Sequence, residues 1–349
     1  MRIAVVSSCL YSIPPKGRRY AGYDLGWQGG YGGESQIYSF VRALCRAGVE
    51  VELFGVAGSE PPQKGRFHYL PRGDWSDVFL REIDVWKMYG ELMLSCDIVH
   101  DWSLTKLIHH NIMTRDGRAI MTPWGTGAPP PFYNANCVLW SEFQRQLFLQ
   151  QDFPESTKYV HGGVEPEMFT PSYEEGNYFL YLSRTHPTKH HEIPIQLAKK
   201  LGIRLYLACD TESPDHIYFL NLAQKECYEN PNIMFVVDPT FNSKCTLYRN
   251  AKALILPSES ECFGLVVLEA LAHGTPVILS RDGAFPEMIQ HGVHGFLCDD
   301  FQDYESAVKN IGMIDRRACR RLVEERFSTD RMAREYLAIY EQVIGGKRF

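Results

Sequence analysis

The sequence lacks the close cysteine pairs that hold structural zinc. Its cysteines, Cys9, Cys45, Cys96, Cys137, Cys209, Cys227, Cys245, Cys262, Cys298 and Cys319, are scattered and include no C-x-x-C pair, so reduced and mostly buried thiols are expected. It also lacks an apolar run of about 20 residues, the length a helix needs to cross a bilayer. Charge of one sign is not in excess. With 36 Lys and Arg against 42 Asp and Glu, the net charge of -6 brings no general attraction to nucleic acid, and nucleic acid is not an expected partner. No solenoid-length repeat and no low-complexity segment is present. The opening MRIAVVSSCL carries one Arg and no small-residue cleavage site, so it reads as a first β-strand rather than a signal peptide, and the expected location is cytoplasmic.

What is present is an ordinary globular composition, 45% hydrophobic and 22% charged, over 349 residues, which favours two α/β domains. Arg2 to Val6 is a short apolar, β-branched run suited to a buried parallel strand. Cys9 to Gln28 is a loop rich in Pro, Gly and Tyr at its carboxyl end, and Gly29 to Gly33 then lead into a helix through Ile37, Phe40, Val41 and Leu44 that stops near Gly48. Val49 to Val56, Asp97 to His100, Ala119 to Thr122 and Cys137 to Trp140 continue the strand series. Turn residues between Gly162 and Gly176 mark a linker. Beyond it, Tyr178 to Ser183, Arg204 to Cys209, Ile233 to Val236, Ala253 to Leu256, Pro276 to Leu279 and Gly295 to Leu297 read as a second set of strands. The expected division is 1–168, a linker 169–177, a second domain 178–328 and a final helix within 329–349.

Three segments carry chemistry. In Ser258 to Gly274, S-E-S-E-C-F-G-L-V-V-L-E-A-L-A-H-G, a strand is followed by a loop with a glycine and an apolar helix opening at Gly264 or Leu265. Backbone N–H groups and the positive helix end converge there, a site suited to phosphate. Glu261 in the loop and Glu269 in the helix can flank one ligand, and carboxylates accept hydrogen bonds from vicinal hydroxyls. The alternative is two solvated acids. In Tyr181 to His190, Arg184 and Lys189 sit on a loop after a strand, where they are either solvated charges or fixed cations that stabilise negative charge on a bound anion. The third segment is Gly29 to Gly33 with Glu34. A dinucleotide fingerprint needs an immediate strand-to-helix turn, and the long loop before these glycines disfavours NAD.

The first segment resembles the E-x7-E signature of glycosyltransferase family four, including the F-G, the L-E-A-L-A helix and the trailing G-T-P-V-I. Asp282, Gly283, Ala284, Pro286, Glu287, Gly292, Gly295 and Phe296 are similar to that family's following stretch. Tyr181 to His190 is similar to its G-R-x-x-x-x-K-G pattern, with Ser183 where Gly is usual and His190 where Gly often follows the Lys. Ser141, Glu142, Gln144 and Arg145, and the stretch from His161 to Phe169, extend the resemblance over essentially the whole chain.

The resemblance implies a GT-B fold: two Rossmann-like, doubly wound domains facing a cleft, with the C-terminal helix crossing back to the N-terminal domain. It implies a retaining transfer from a nucleoside diphosphate sugar (UDP, GDP or ADP form open) to an unidentified glycan, lipid-linked or small-molecule acceptor. No cofactor is implied, and no D-x-D stands in the matching place, so no metal is expected. By the resemblance Glu261, Arg184, Lys189 and His100 are the catalytic set. Glu269 takes the ribose, the backbone of Phe263, Gly264 and Leu265 takes phosphate and sugar, and Gly32 and Gly33 approach the donor. Asp101 and Trp124 are acceptor-side candidates. Trp124 stands in T-P-W-G where the family often has His; an indole stacks on a sugar face but cannot act as a base. His100, in D-I-V-H-D-W, is equally readable as a core histidine. Lys16, Arg18 and Arg19 leave peripheral membrane contact open. The rival readings are a nucleotide-sugar epimerase on the same fold and a catalytically silent sugar-nucleotide or glycan-binding protein, with an NAD-dependent oxidoreductase further off.

Overall fold

A computed structural model describes residues 1–8, 32–72, 76–123, 125, 135–209 and 216–349; the loop from Cys9 to Gln28, Gly29 to Tyr31 and Trp124 lie outside them. The chain forms two compact units, Met1–Gly163 with Thr329–Phe349, and Val164–Ser328.

The first unit runs β1 (Arg2–Val6), α1 (Gly32–Arg46), β2 (Glu50–Val56), β3 (Gly65–Leu70), α2 (Val78–Leu94), β4 (Ile98–Asp101), α3 (Leu107–Met113), β5 (Ala119–Met121), β6 (Val138–Leu139), α4 (Glu142–Leu149) and β7 (Lys158–Tyr159). Its five-stranded sheet has the order β3-β2-β1-β4-β5, and its strand pairs are parallel. β1 is apolar and β4 begins apolar, and both are buried on both faces, with His100 and Asp101 closing β4. The expected strands are present, and the short β7 and the edge strand β3 are additions to them. The β3 sequence, GRFHYL, carries Arg and His on a mostly exposed edge, which hides it from an apolar pattern. His68 of β3 meets the buried Glu52 of β2 at 2.6 Å, so an edge histidine engages one oxygen of an interior acid.

The second unit runs β8 (Tyr178–Ser183), α5 (Glu192–Leu201), β9 (Leu205–Cys209), α6 (His216–Glu229), β10 (Ile233–Val237), α7 (Phe241–Asn250), β11 (Ala251–Leu256), α8 (Leu265–Ala272), β12 (Val277–Ser280), α9 (Phe285–Met288), β13 (Gly295–Cys298), α10 (Phe301–Asn310) and α11 (Arg316–Arg326). Its six-stranded parallel sheet has the order β10-β9-β8-β11-β12-β13. The last helix, α12 (Thr329–Ile344), belongs to the first unit. It buries Met332, Ala333, Tyr336, Ile339, Tyr340 and Val343, an i, i+3, i+4, i+7 stripe, and Tyr336 meets Phe40 of α1 with ring centroids 5.0 Å apart.

Each sheet reverses its winding beside its first strand, at β1/β4 in one unit and at β8/β11 in the other. In open α/β sheets ligands bind outside the carboxyl ends of the strands at such a reversal. The loops leaving β8 and β11 are those holding Arg184 and Lys189 and Glu261 to Gly264, so winding order brings together segments some 70 residues apart in the chain.

Candidate active site

The β8 loop turns through a short 3-10 segment, Pro187–Lys189, whose preceding His186 accepts a hydrogen bond from the Thr188 amide through Nδ1 at 3.3 Å. His190 ends the turn in the left-handed region at φ 46, ψ 47. That backbone explains why a glycine suits the position, since a side chain there is strained. The strain is offset by its ring. His190 Nδ1 lies 2.9 Å from Glu192 Oε1, and Nε2 lies 2.9 Å from Glu259 Oε1 on the β11 loop. Burial alone lowers the His190 pKa, and the two carboxylates outweigh it, leaving it raised.

Three links join the two loops. Beside the His190 bridge, the Glu259 amide donates to Thr188 O at 2.9 Å, and Lys189 Nζ forms an ion pair with Glu261 Oε2. Glu261 is also held from the β12–α9 turn. Asp282 Oδ2 accepts from the Ser260 amide at 3.0 Å, and the Ala284 amide donates to Glu261 O at 2.9 Å. Gly283, at φ +62, has no room for a side chain, because a Cβ would fall 2.6 Å from the Glu261 backbone N and O. Ser260, at φ 51, is the strained residue this scaffold holds in place.

Gly264, at φ 88, is the N-cap of α8, and no side chain caps that helix. Its first-turn amides therefore face the end of the sheet with a ligand as their natural partner. Phe263 has its ring in the core, 6.2 Å from Phe327, so only its backbone can meet a ligand, while Leu265 is partly exposed. Arg184 is exposed and forms no hydrogen bond or ion pair with another of the described residues. Glu269, one turn into α8, is partly exposed; Tyr248 of α7 donates to its Oε2 at 2.9 Å. Burial raises the Glu269 pKa, opposed by the charge of Lys244 and by the Tyr248 hydrogen bond. Arg184, Lys189, Glu261, Phe263, Gly264, Leu265 and Glu269 thus share one end of one sheet. Nothing in their spacing pointed to Tyr248, Lys244 or the His190 bridge.

The first unit treats its candidates differently. Gly32 and Gly33 open α1 at the carboxyl end of β1. His100 is a core residue: its Nδ1 lies 2.6 Å from Tyr340 Oη and its Nε2 2.9 Å from Thr122 Oγ1, and burial, with Lys106 and His109, lowers its pKa well below the usual value. A neutral ring with both nitrogens engaged has none left for a substrate. Asp101 is likewise internal, accepting from the Ser103 and His109 amides at 2.7 Å each, which orders the β4 loop and the start of α3. Its neighbour Lys106, buried at φ 60, donates to Thr122 O at 3.0 Å. Glu34, in the first turn of α1, accepts from Ser8 Oγ at 3.2 Å, and burial pushes its carboxyl up to about 7 against its own amide and Ser8. Among the described residues no group of three His, Cys, Asp or Glu is set to hold a metal ion, and no helix is long and apolar enough to cross a membrane.

Residues 167–314 match the family model described as Glycosyl transferases group 1. Over 157 residues the chain is 29% identical to the O-antigen chain mannosyltransferase RfbU of Salmonella typhimurium, covering 45% of this chain and 44% of that protein. Over 171 residues it is 29% identical to the D-inositol 3-phosphate glycosyltransferase of Mycolicibacterium smegmatis, covering 44% of this chain and 39% of that one. These matches thus span less than half the length of either relative. In structure the chain is similar to AviGT4, a glycosyltransferase involved in avilamycin A biosynthesis, at a TM-score of 0.77, 20% identity and coverage of 100% and 99%. It is also similar to Alr3699/HepE from Anabaena in complex with UDP-glucose, at a TM-score of 0.69, 13% identity and coverage of 98% and 100%. The chain therefore has the GT-B fold of known glycosyltransferases, and its residues 167–314 carry the sequence pattern of glycosyl transferases group 1.

Proposed function

We propose that this protein is a retaining glycosyltransferase that moves a sugar from a nucleoside diphosphate sugar to an acceptor hydroxyl without a metal ion. The observation that carries the reading is the Lys189–Glu261 pair at the mouth of the β8 and β11 loops, beside the uncapped N-terminus of α8 and the exposed Arg184. A group 1 sequence match over the same unit supports it.

In this reading the diphosphate lies on the α8 amides, with Arg184 and Lys189 at its oxygens. Positive charge fixed in advance stabilises the negative charge that grows as the bond between the anomeric carbon and the diphosphate breaks. Those groups supply what a divalent cation would bring, so turnover is expected in EDTA. Glu261, its carboxylate oriented by Lys189 and its backbone by the Asp282–Ala284 turn, faces the transferred sugar. The acceptor oxygen forms its bond on the face the diphosphate leaves, and the departing phosphate oxygen takes the acceptor proton. Protein carboxylates position the sugar and form no bond to it.

The test is release of nucleoside diphosphate from UDP-, GDP- and ADP-sugars in EDTA by wild type, Arg184→Ala and Glu261→Gln. Turnover of one donor by wild type, lost in both variants, supports the reading. Binding of a donor with no release under any acceptor supplied would leave a nucleotide-sugar binder, and absence of binding to every donor would overturn the assignment.

A further inference from the structure

Tyr248 is held on several sides beside Glu269 of the candidate donor site. It lies on α7, whose start is set by Thr240 accepting from the Ser243 amide at 3.2 Å. Its ring is buried and stacks on His273, with centroids 5.5 Å apart and planes 25° from parallel. His273 in turn has Nδ1 2.8 Å from Glu269 O and its ring against Phe169 at 5.3 Å. The Tyr248 carbonyl accepts from Thr275 Oγ1 at 2.7 Å. With ring and backbone both held, the phenol has one place to point, and that place is Glu269 Oε2 at 2.9 Å. The phenol stays protonated, its pKa raised well above the usual value first by burial and then by Glu269, so it acts there as a donor.

A carboxylate has two oxygens and a freely turning end group. Here one oxygen is claimed and the other, Oε1, has no partner among the described residues, while Glu269 remains partly open to solvent. Lys244, one turn before Tyr248 on the same face of α7, opposes the rise that burial imposes on the Glu269 carboxyl.

We propose that Tyr248 is a positioning residue: by binding one oxygen of Glu269 it holds the other toward the nucleoside ribose, and so sets how strongly the site distinguishes ribose from deoxyribose. This rests on the reading of Glu269 as the ribose acceptor. Without the phenol the carboxylate turns freely, and each hydroxyl it binds must first pay the ordering cost that Tyr248 has already met.

The experiment is calorimetric binding of UDP, GDP and ADP, and of their 2′-deoxy forms, to the whole protein, wild type and Tyr248→Phe, with melting curves to verify folding. The nucleotide that binds is expected to favour ribose by about tenfold or more in wild type, the size of one charge-assisted hydrogen bond. In Tyr248→Phe the ratio narrows to about threefold or less, chiefly through weaker binding of the ribose form. No ribose preference in wild type would overturn the Glu269 reading itself. An undiminished preference in folded Tyr248→Phe would overturn the role of Tyr248 and leave Glu269 standing. Should Tyr248→Phe not fold, Glu269→Gln decides. With Glu269→Gln the Tyr248 phenol still fixes the Gln oxygen and the amide NH2 donates to a ribose hydroxyl, so a ribose preference above that of Glu269→Ala supports the proposal and a preference no greater than in Glu269→Ala overturns it.

Discussion

Lys189 and Glu261, 72 residues apart in the chain, are ion-paired at the carboxyl end of the second sheet. Their side chains are only 11% and 22% exposed, so the pair is shielded from water more than an open surface ion pair. In the proposed reaction Lys189 serves both the carboxylate and the diphosphate, and the two residues act as a unit.

Lys189→Ala and Glu261→Gln are each expected to lower donor turnover by about 100-fold or more, and the double variant by little more than the worse single one. Additive losses, or near-normal turnover in either single variant, would show that the pair does not work together. Steady-state turnover of all four proteins closes the cycle.

His190 is expected to make stability depend on pH. Its pKa is raised in the folded protein, because Glu192 and Glu259 outweigh the opposite effect of burial. Its contribution is therefore complete below the unfolded value of about 6.5 and is lost as pH rises through the higher folded one. His190→Gly removes that contribution and also relieves the left-handed strain, of about 1 kcal/mol. The variant should melt below wild type at pH 6 and at or above it at pH 9. Parallel melting curves at every pH would refute the bridge.

Gly283→Ala is expected to cost about 1 to 3 kcal/mol and to cut turnover more than tenfold, because its Cβ meets the Glu261 backbone at 2.6 Å. Gly202→Ala is the control. Gly202 has nearly the same conformation, φ +64, with nothing within 4 Å of a Cβ, so it should show the conformational cost alone, about 1 kcal/mol, with full turnover. Equal effects at the two sites would mean that contact with Glu261 is unimportant.

Glu34 predicts the opposite trend with pH from an ordinary paired acid. Burial raises its carboxyl to about 7, so the folded state holds the proton more tightly, and stability is lost as pH rises from about 4.5 through 7. Glu34→Gln keeps the shape without the charge and is expected to gain as much as about 3 kcal/mol over wild type at pH 8, with no gain at pH 4. Denaturant unfolding at the two values measures it, and equal effects at both would place Glu34 in contact with water.

Much of the fold was legible because parallel strands buried on both faces leave short apolar runs, as in Ile3 to Val6 and Leu254 to Leu256. β3 escaped because an edge strand needs only one covered side, and its Arg66 and His68 break the pattern. The site was legible where backbone chemistry is local: Gly264 before an apolar helix is a phosphate cradle wherever such a helix opens, and the Gly usual after Lys189 answers a left-handed turn. His100 was not decided by its neighbours in sequence. A histidine at a strand end faces ligand or core depending on what covers it, and Tyr340, 240 residues later, is what covers it.

The sequence by itself determined the α/β class, the strand–loop–helix at Ala251–Ala272 and the charged residues that frame it, since each follows from residues within a few turns of one another. Only the tertiary structure decided which of those residues meet. That Lys189 reaches Glu261, that His190 spans Glu192 and Glu259, that Tyr248 claims one oxygen of Glu269, and that His100 is sealed by Thr122 and Tyr340 all depend on strand order and helix packing. Hydrogen bonds and ion pairs form over about 3 Å, and only the folded chain brings residues tens or hundreds of positions apart within that distance.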